Sequence, residues 1–576
     1  MNNIKCLFLI LVISFSISIS GQDLSQIGKE KIFKINGGLG LNYTSTFTND
    51  SNRIPMPTFW GANLNLNLSI YGLSFPISAM VTNGKVNFTH AFNQFGISPH
   101  YKWLTLHAGY RQYQYSPFTV SGQTFFGGGI ELRPAFLRLG FFTGRLRKAT
   151  ELDSAMMFQQ TIPGSYPLNI VSENGTNFYS AQPAFSRKGW GAKIGFGSET
   201  NYVDFIVFKG RDDYQSITKS TNLSIKPEEN LILGINIFQR MFKHFTFGLN
   251  GAASVYTYDT NAAELAESIP LLGFINKIFV LRPTTQFQWA GEVNFNINYP
   301  NFSLLSTYKR TQPNFQSMGI NSFLSDLNLV TIQPSWSLFK QKVRFNNMIQ
   351  FQNDNLNGYK QFTTKRFLIN SSISLNLTNR FGIDFNYNQN ALNQTKLGTL
   401  MLDSVQASQL SNSFMVSPHL FLNNSRLSDI ISVVSSYTAM KNKQKGISND
   451  INNIYGTINN TLIIFKGGWN INTGLNYNSA ITSTNNLQSY GFIAGLSKGL
   501  FDNKFSISNN NTILWNKLDG ADNGNTVSID LNAVCNLFTK HTLSVGLNYL
   551  YSPANGIYNL HDFQQTRFMI SYQYIF

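Results

Sequence analysis

The sequence predicts an all-β protein, a single large antiparallel transmembrane β-barrel of about 26 strands, within a range of about 22 to 26. Three observations predict it: apolar and polar residues alternate along segments of about ten residues, short connections alternate with long ones, and charged residues are scarce. Of the 576 residues, 14% are aromatic but only 12% are charged, whereas typical globular chains have about 25% charged residues. The mean hydropathy is only −0.12, so neutral polar residues, not long apolar runs, replace the missing charges.

The alternating segments indicate strands with two unlike faces, because successive side chains of a strand point to opposite sides. In a membrane barrel one face meets lipid and the other lines a wet lumen. Four stretches show the repeat clearly, with apolar positions Leu64, Leu66, Leu68 and Ile70; Val293, Phe295, Ile297 and Tyr299; Phe381, Ile383, Phe385 and Tyr387; and Leu543, Val545, Leu547, Tyr549 and Tyr551. Most of the positions between them are Asn, Ser, Gly or acidic residues.

The connections provide a second, independent signal. Short connections are predicted at 199–200, 300–301 and 379–380, and long polar ones at 148–187 and 259–283. Outer-membrane barrels have short periplasmic turns and long extracellular loops, whereas a soluble β-sandwich has no reason to alternate in this way. We therefore expect a cell outer membrane location with both termini periplasmic, as an even strand count requires.

The N-terminal segment has the features of a secretory signal peptide. A short basic region is followed by an apolar, serine-rich stretch and then by Gly21 at a small-residue cleavage site. We predict a signal peptide at 1–21, a short periplasmic tail at 22–35 and the transmembrane barrel at 36–576. Removal of Cys6 with the signal peptide leaves Cys535 alone, so no disulfide framework is expected.

The last strand carries an apolar side chain at every second position up to the final residue of the chain. A strand this apolar on one face would promote aggregation at a solvated sheet edge, but it suits a strand that closes a barrel in lipid. The stretch also resembles the C-terminal recognition signal of bacterial outer-membrane barrels, which implies the barrel-assembly machinery as a partner. The residues of this predicted assembly signal, expected to face lipid, are Phe568, Ile570, Tyr572, Tyr574 and Phe576.

Replacement of Phe576 by glutamate is expected to reduce the amount of assembled barrel in the membrane, because it places a charge at the end of the recognition signal. The measurement is the folded fraction in isolated membranes, read from the heat-dependent shift in gel mobility. Unchanged levels of assembled barrel would count against the predicted signal.

The chain is strongly basic, with a net charge of +16. Its basic residues form neither a stripe nor a recognition helix, so nucleic-acid binding is not predicted. The densest cluster flanks the longest predicted loop, and two interpretations are open: an anion-attracting vestibule, or a rim that pairs with lipid phosphates and with Asp212 and Asp213. The candidate basic vestibule consists of Arg145, Arg147, Lys148, Arg187, Lys188, Lys209 and Arg211.

A barrel of this strand number would be wider than the known aqueous and plugged barrels of 16 to 22 strands. We therefore expect the lumen to be filled by the protein's own loops or by a partner. The best internal candidate is the loop 148–187, which contains apolar residues such as Met156, Phe158 and Phe178. The alternative is that this loop forms a surface cap over the mouth of the barrel.

No residue pattern predicts catalysis, a cofactor or a metal ion. The seven histidines form no HExxH motif and no cluster with carboxylates, and serine is too abundant to indicate a nucleophile. The glycines Gly37, Gly38 and Gly40, and the run from Gly127 to Gly129, precede no helix pattern. They are therefore interpreted as strand glycines at bends or close contacts, not as phosphate-binding loops. We do not expect an enzyme.

Several stretches of the first 215 residues or so resemble a group of outer-membrane barrel proteins of Bacteroidota that is largely uncharacterised. The similar stretches are residues 24–29 and 33–35, 92–96 and 101–103, 116–119 with Gly122, 144–149, and 208–213. As a set these motifs are moderately specific, and singly they are weak. The resemblance implies an outer-membrane location and a Bacteroidota origin, but it implies no activity.

Two functions are consistent with these observations. The first is a porin-like channel for polar solutes whose lumen is restricted by in-folded loops. The alternative is a binding, scaffold or export-associated barrel that holds a surface protein or a glycan. Outer-membrane lipid, the barrel-assembly machinery and an unidentified outer-membrane or surface protein are the expected partners, and the sequence does not name a solute.

Overall fold

The computed structural model describes residues 33–50, 57–70, 73–83, 94–150, 170–173, 176–179, 184–217, 225–265, 278–321, 323–396, 407–442, 450–502, 504–538, 540–554 and 562–576. The predicted signal peptide and most of the predicted N-terminal tail lie outside these residues, as does much of the loop 148–187. No helix within the described residues is long and apolar enough to cross a membrane.

The described chain consists almost entirely of strands, as the alternating sequence pattern predicts. The strands are β1 (Phe33–Thr48), β2 (Thr58–Ile70), β3 (Leu73–Thr82), β4 (Gln94–Ile97), β5 (His100–Tyr101), β6 (Leu104–Gln112), β7 (Thr124–Leu132), β8 (Leu137–Arg147), β9 (Ile170–Glu173), β10 (Thr176–Tyr179), β11 (Ser186–Gly197), β12 (Asn201–Asp213), β13 (Glu229–Met241), β14 (Phe245–Thr257), β15 (Thr285–Tyr299), β16 (Phe302–Thr311), β17 (Leu327–Leu338), β18 (Val343–Asn353), β19 (Phe362–Asn376), β20 (Phe381–Lys396), β21 (Ser408–Asn423), β22 (Leu427–Asn442), β23 (Ile451–Ile464), β24 (Trp469–Thr482), β25 (Asn486–Leu500), β26 (Phe505–Leu518), β27 (Ala521–Leu537), β28 (His541–Ser552) and β29 (Phe563–Ile575).

These strands build one closed antiparallel barrel of 26 strands, which confirms the predicted fold class and strand number. The main sheet contains 27 strand segments, and β9 and β10 form a separate hairpin. The short segments β4 and β5 both lie between β3 and β6, so they count as one interrupted traverse of the wall. The first traverse, β1, begins at Phe33, three residues before the predicted start.

The barrel is closed by the first and last strands. β1 pairs with β29 in a continuous register from Gly38 opposite Ile575 to Thr48 opposite Gln565. Directly paired residues of antiparallel strands point to the same face. Tyr572 and Tyr574 therefore lie on the same face as their partners Leu41 and Leu39.

The outward face of the wall forms an apolar belt. Large apolar side chains stay exposed there in row after row, which is the arrangement that lipid requires. Examples around the barrel are Leu41 and Tyr43 on β1, Phe141 on β8, Ile194 on β11, Phe205 on β12, Phe351 on β18, Phe414 on β21, Leu475 on β24 and Leu547 on β28. The pairing of Phe205 with Ile194 shows how one belt row continues from strand to strand.

The two ends of the barrel differ in their connections, as the sequence predicts. One end, here called the turn end, carries tight turns such as those between β11 and β12 and between β17 and β18. The other end, here called the loop end, carries the long connections, including 148–185 and 258–284. Both the first residue of β1 and the last of β29 lie at the turn end.

Candidate functional site

Two loops from the loop end fold back into the lumen and form a layer that we call the shelf. The shelf comprises residues 113–123, between β6 and β7, together with residues 312–321 and 323–326, between β16 and β17. The two loops contact each other directly, since the backbone N–H of Ser121 donates to the carbonyl of Gly319 over 2.9 Å and the hydroxyl of Ser317 donates to the carbonyl of Thr119 over 2.7 Å. Both loops are therefore parts of one structure.

The shelf and the inward face of β7 to β15 bury a common apolar core. Phe118 is fully buried and its ring meets those of Phe315 and Phe323 edge-on, with centroids 6.4 and 6.0 Å away. Deeper in the shelf, the ring of Tyr113 stacks on Phe142 of the wall at 4.6 Å. The other buried residues of this core are Tyr115, Val120, Phe125, Leu146, Ile206, Phe208, Ile232, Ala252, Tyr256, Ala290 and Met318. The shelf and the wall thus share a packed apolar core like that of a soluble protein. This core closes the lumen on the side of β7 to β15.

Inward-facing glycines make room for the shelf. A side chain at Gly234 would begin 2.3 Å from Cγ2 of Thr119, and one at Gly129 would begin 2.0 Å from the Tyr113 hydroxyl. At Gly210 the nearest atom is Sδ of Met318, at 3.0 Å. Because real Cβ contacts are rarely this short, the wall needs glycine at these positions. The prediction of close contacts in the run from Gly127 to Gly129 agrees with this geometry at Gly127 and Gly129, whereas a side chain at Gly128 would meet its nearest atom at 3.6 Å.

Polar side chains of the wall attach the shelf backbone. Asn230 is fully buried and accepts a hydrogen bond from the backbone N–H of Met318 over 3.1 Å. Its amide nitrogen donates to Ser254, whose hydroxyl donates to the carbonyl of Gln316 over 2.8 Å. On the other loop, Asn236 donates to the carbonyl of Tyr115 over 3.3 Å. Buried backbone groups that would otherwise lack partners are satisfied in this way, which fixes the position of the shelf.

The opposite wall of the lumen is different, because β18 to β28 carry polar inward side chains that are mostly part-exposed. Neighbouring strands join through these side chains: Ser489 donates to Asn516 over 2.8 Å, and Asn516 donates to Thr526 over 2.9 Å. The inward asparagines include Asn346, Asn370, Asn386, Asn388, Asn472, Asn476, Asn510, Asn532 and Asn548. This wall is polar and carries few charged side chains, as the sequence predicts for the lumen face.

A buried carboxylate organises the loop end of the lumen beside the shelf. Asp212 of β12 is 4% exposed and accepts two hydrogen bonds from Arg187, over 2.7 and 2.9 Å, and one from Arg147 over 3.2 Å. Arg187 also donates to Glu228 over 2.8 Å, and the hydroxyl of Tyr256 donates to the same carboxylate over 2.7 Å. The network joins four strands, β8, β11, β12 and β14, and the connection before β13.

The predicted basic vestibule is divided between the two faces of the wall. Arg147 and Arg187 point inward to Asp212. In contrast, Arg145, Lys188 and Arg211 are paired across β8, β11 and β12 on the outward face. The outward Lys209 forms an ion pair with Glu229 at 2.9 Å, and Lys148 ends this stretch just after β8. The structure therefore does not bring the seven residues into one vestibule.

The shelf is also attached to the neighbouring loop 354–361. Asp326, the last shelf residue, accepts hydrogen bonds from the backbone N–H groups of Asn355 and Leu356, over 3.0 and 2.8 Å. Its carboxylate forms an ion pair with Lys360. Burial alone would raise the pKa of Asp326, but the hydrogen bonds from Lys360, Leu356 and Asn355 outweigh it, and the pKa lies below its ordinary value.

Acidification is expected to weaken this attachment. A carboxylate with a lowered pKa in the folded protein stabilises it fully above its unfolded pKa of about 4, and the contribution is lost as the pH falls through the lowered value. Thermal unfolding of the wild type and of Asp326→Asn, compared at pH 7 and at pH 3, measures the effect. The wild type should be more stable than the variant at pH 7, and the difference should shrink at pH 3. A difference independent of pH would contradict the assignment.

A closed sheet with an apolar exterior and a polar, partly filled interior defines the chain as a transmembrane β-barrel. Within the described residues, no group of three or more histidine, cysteine or acidic side chains is arranged to hold a metal ion.

No protein-family model matches the chain, and no curated protein sequence matches it. Among solved structures it is similar to the translocation pore of the P pilus usher PapC, with 11% identity and a TM-score of 0.36 over 94% of this chain and 99% of that chain. It is also similar to the ferric enterobactin receptor PfeA of Pseudomonas aeruginosa, with 10% identity and a TM-score of 0.39 over 94% and 80% of the two chains. A third similar structure is OccK11 of Pseudomonas aeruginosa, with 8% identity and a TM-score of 0.30 over 68% of this chain and 94% of that chain. Similarity this low carries no functional argument, and the resemblance to the Bacteroidota barrels stays a prediction.

Proposed function

We propose that the protein is an outer-membrane, porin-like channel for polar solutes, with its lumen restricted by the shelf. The observation that carries the proposal is the division of the lumen into two unlike sectors. On one side the shelf is packed and hydrogen-bonded against β7 to β15. On the other side β18 to β28 present part-exposed asparagine, serine and threonine side chains. Polar solutes would pass along this second sector.

The size of the barrel supports a channel of this kind. With 26 strands, a strand spacing of about 4.8 Å and a tilt of about 40°, a circular barrel would be roughly 50 Å across. Two short loops occupy only part of such a lumen. A near-neutral polar wall would select solutes by size more than by charge.

The proposed orientation places the loop end outside the cell and both termini in the periplasm. The even strand count and the alternation of turns and loops support this placement, and so does the predicted signal peptide. The outward row of Arg145, Lys188 and Arg211 fits the rim interpretation, in which basic side chains meet the phosphates of outer-membrane lipid.

The width of the lumen also favours a second candidate function. A barrel roughly 50 Å across is wider than small solutes need, so its polar sector is wide enough to hold a folded surface protein, an export substrate or a glycan. In that case the shelf would position the partner instead of setting a pore size.

Conductance in planar lipid bilayers tests the proposal and separates the two functions. The purified barrel is expected to give discrete channels, and neutral polymers of increasing size should stop reducing the conductance above a cut-off set by the sector that the shelf leaves free. A barrel that never conducts would overturn the channel function. Co-purification of one stoichiometric partner with such a silent barrel would favour the alternative.

A further inference from the structure

Four tight turns at the turn end share an unusual residue. Phe242, Phe339, Phe501 and Phe538 occupy the tips of the turns that join β13 to β14, β17 to β18, β25 to β26, and β27 to β28. We call them the tip phenylalanines. Each is followed within three residues by lysine: Lys243, Lys340, Lys504 and Lys540.

The tip phenylalanines adopt a backbone conformation that is unfavourable for them. Their φ angles are 49°, 51°, 54° and 52°, in the left-handed region, where the Cβ atom of a bulky residue lies too close to the following carbonyl oxygen. Glycine and asparagine suit such turn positions far better. Phenylalanine nevertheless occurs in this unfavourable conformation at four separate turns. The requirements of the turn itself therefore do not explain why phenylalanine is found there.

Packing within the protein does not explain the choice either. The exposed fractions of the four side chains are 86%, 74%, 77% and 84%, so the rings gain almost no burial inside the chain. A phenylalanine ring left in water forgoes the favourable free energy of burying its apolar surface. The rings are therefore placed to contact something outside the protein.

The turns continue the lipid-facing belt. At three of these turns the residue before the tip phenylalanine is the last outward-facing residue of its strand, paired with an outward partner: Met241 with Phe245, Leu338 with Val343, and Leu500 with Phe505. Before Phe538, the register pairs Leu537 with His541. The rings thus lie directly beyond the apolar belt, where the hydrocarbon of a bilayer gives way to headgroups. Aromatic rings and lysines are the side chains that prefer this zone.

The spread of the four turns favours a lipid surface over a protein partner. From the turn after β13 to the turn after β27 there are fourteen strand steps, which correspond to roughly 85 Å of rim at about 6 Å per tilted strand. One compact partner covers about 800 Å² of a surface, which is too little to reach all four rings. The membrane surrounds the whole barrel and contacts every turn.

We infer that the tip phenylalanines and their lysines form an anchor that inserts into the headgroup zone of the leaflet at the turn end. The rings enter the upper acyl region, and the lysine ammonium groups meet lipid phosphates. The anchor fixes the depth and tilt of the barrel in the bilayer. It does not depend on whether the barrel conducts, so a failed conductance test leaves it open to its own test.

Depth measurements on single spin labels test the anchor. In a Cys535→Ser background, Phe242→Cys, Phe339→Cys and Phe538→Cys are labelled with a nitroxide and reconstituted into vesicles of phosphatidylethanolamine and phosphatidylglycerol. The matched control is Glu199→Cys, in a polar turn at the same end. Labels at the tip positions should be relaxed by oxygen, which concentrates in lipid, and the control label by a water-soluble nickel chelate. Nickel accessibility at the tip positions equal to the control would overturn the anchor and favour a soluble partner.

A second comparison uses the turn conformation itself. Replacing the four tip phenylalanines by asparagine relieves backbone strain, so without a membrane contact the variant should be more stable than the wild type in both detergent and bilayers. The anchor predicts a reversal: the variant is at least as stable in detergent, but less stable in bilayers, by urea unfolding. Equal or higher stability of the variant in bilayers would overturn the inference.

Discussion

Substitution of Asp212 by asparagine is expected to lower the free energy of unfolding by about 3 kcal/mol, because it removes the carboxylate that two converging arginines share in a largely desolvated place. Arg147 and Arg187 both donate to this carboxylate, and its side chain is 1% exposed. In the variant the two guanidinium groups would repel each other, and Glu228, which pairs with Arg187, would be the carboxylate left in this network. The end of β8 and the start of β11 should loosen first.

Urea unfolding in detergent, followed by tryptophan fluorescence, measures this effect. The neighbouring Asp213→Asn is a matched control, since Asp213 carries the same charge one residue further along β12 but pairs on the outward face with Lys188, and both side chains are well exposed. Exposed ion pairs contribute about 0–1 kcal/mol. Equal losses in the two variants would show that the lumen network has no special role.

Substitution of Gly210 and Gly234 by leucine is expected to expel the shelf and to raise the conductance. The new side chains would occupy the places of Met318 and Thr119, one in each shelf loop, and overpacking of this kind costs about 1–3 kcal/mol per site. Displacing the shelf requires less free energy than bending the wall, because continuous strand pairing holds the wall in place. The channel should therefore become wider and its current noisier, even though the substitutions add atoms to the lumen.

Single-channel recordings measure the change, and the lumen supplies its own control. Gly248 also faces inward, but the nearest atom to an added side chain is Cβ of Asn294 at 3.6 Å, and no shelf residue is close. Gly248→Leu should leave the conductance equal to the wild type or slightly lower. If Gly210→Leu/Gly234→Leu also lowered the conductance, the shelf would not be what restricts the pore.

The wall was predictable from the sequence because it depends on local rules. Alternation of apolar and polar residues determines which face of a strand meets lipid; Phe247 and Phe295, for example, are paired on the outward face. The lengths of the connections identify the two ends of the barrel. The start of β1 was missed by three residues because Phe33 and Ile35 carry the alternation back into the predicted tail.

The shelf was not predictable in the same way. Its position depends on inward glycines of distant strands, and Gly234 lies more than a hundred residues from Thr119. The loop 148–187, which the sequence favoured as the lumen filler, lies largely outside the described residues. The sequence did contain one signal of a layer packed against the wall. Glycines cluster within β7, β8 and β11, more densely than turns alone require.

The division of the predicted basic vestibule between the two faces of the wall could not be predicted, because it depends on a single irregularity. The register between β8 and β11 shifts at Arg187 and Lys188. This bulge reverses the alternation on β8, so that Arg145 points outward while Arg147 points inward. A one-residue shift moves every following side chain to the other face, and no composition rule locates such a shift.

The pairing of β1 with β29 has a consequence for the order of assembly. Every other pairing in the wall joins strands that are near neighbours in the chain, but this one joins residues more than five hundred positions apart. The sector from β6 to β17 can already gain an internal core from the shelf while the wall is still open. The sector from β18 to β29 has no such core among the described residues, and it stays a bare sheet with a reactive edge until the last strand arrives. Assembly is therefore expected to be slowest, and most dependent on cellular factors, at its final step.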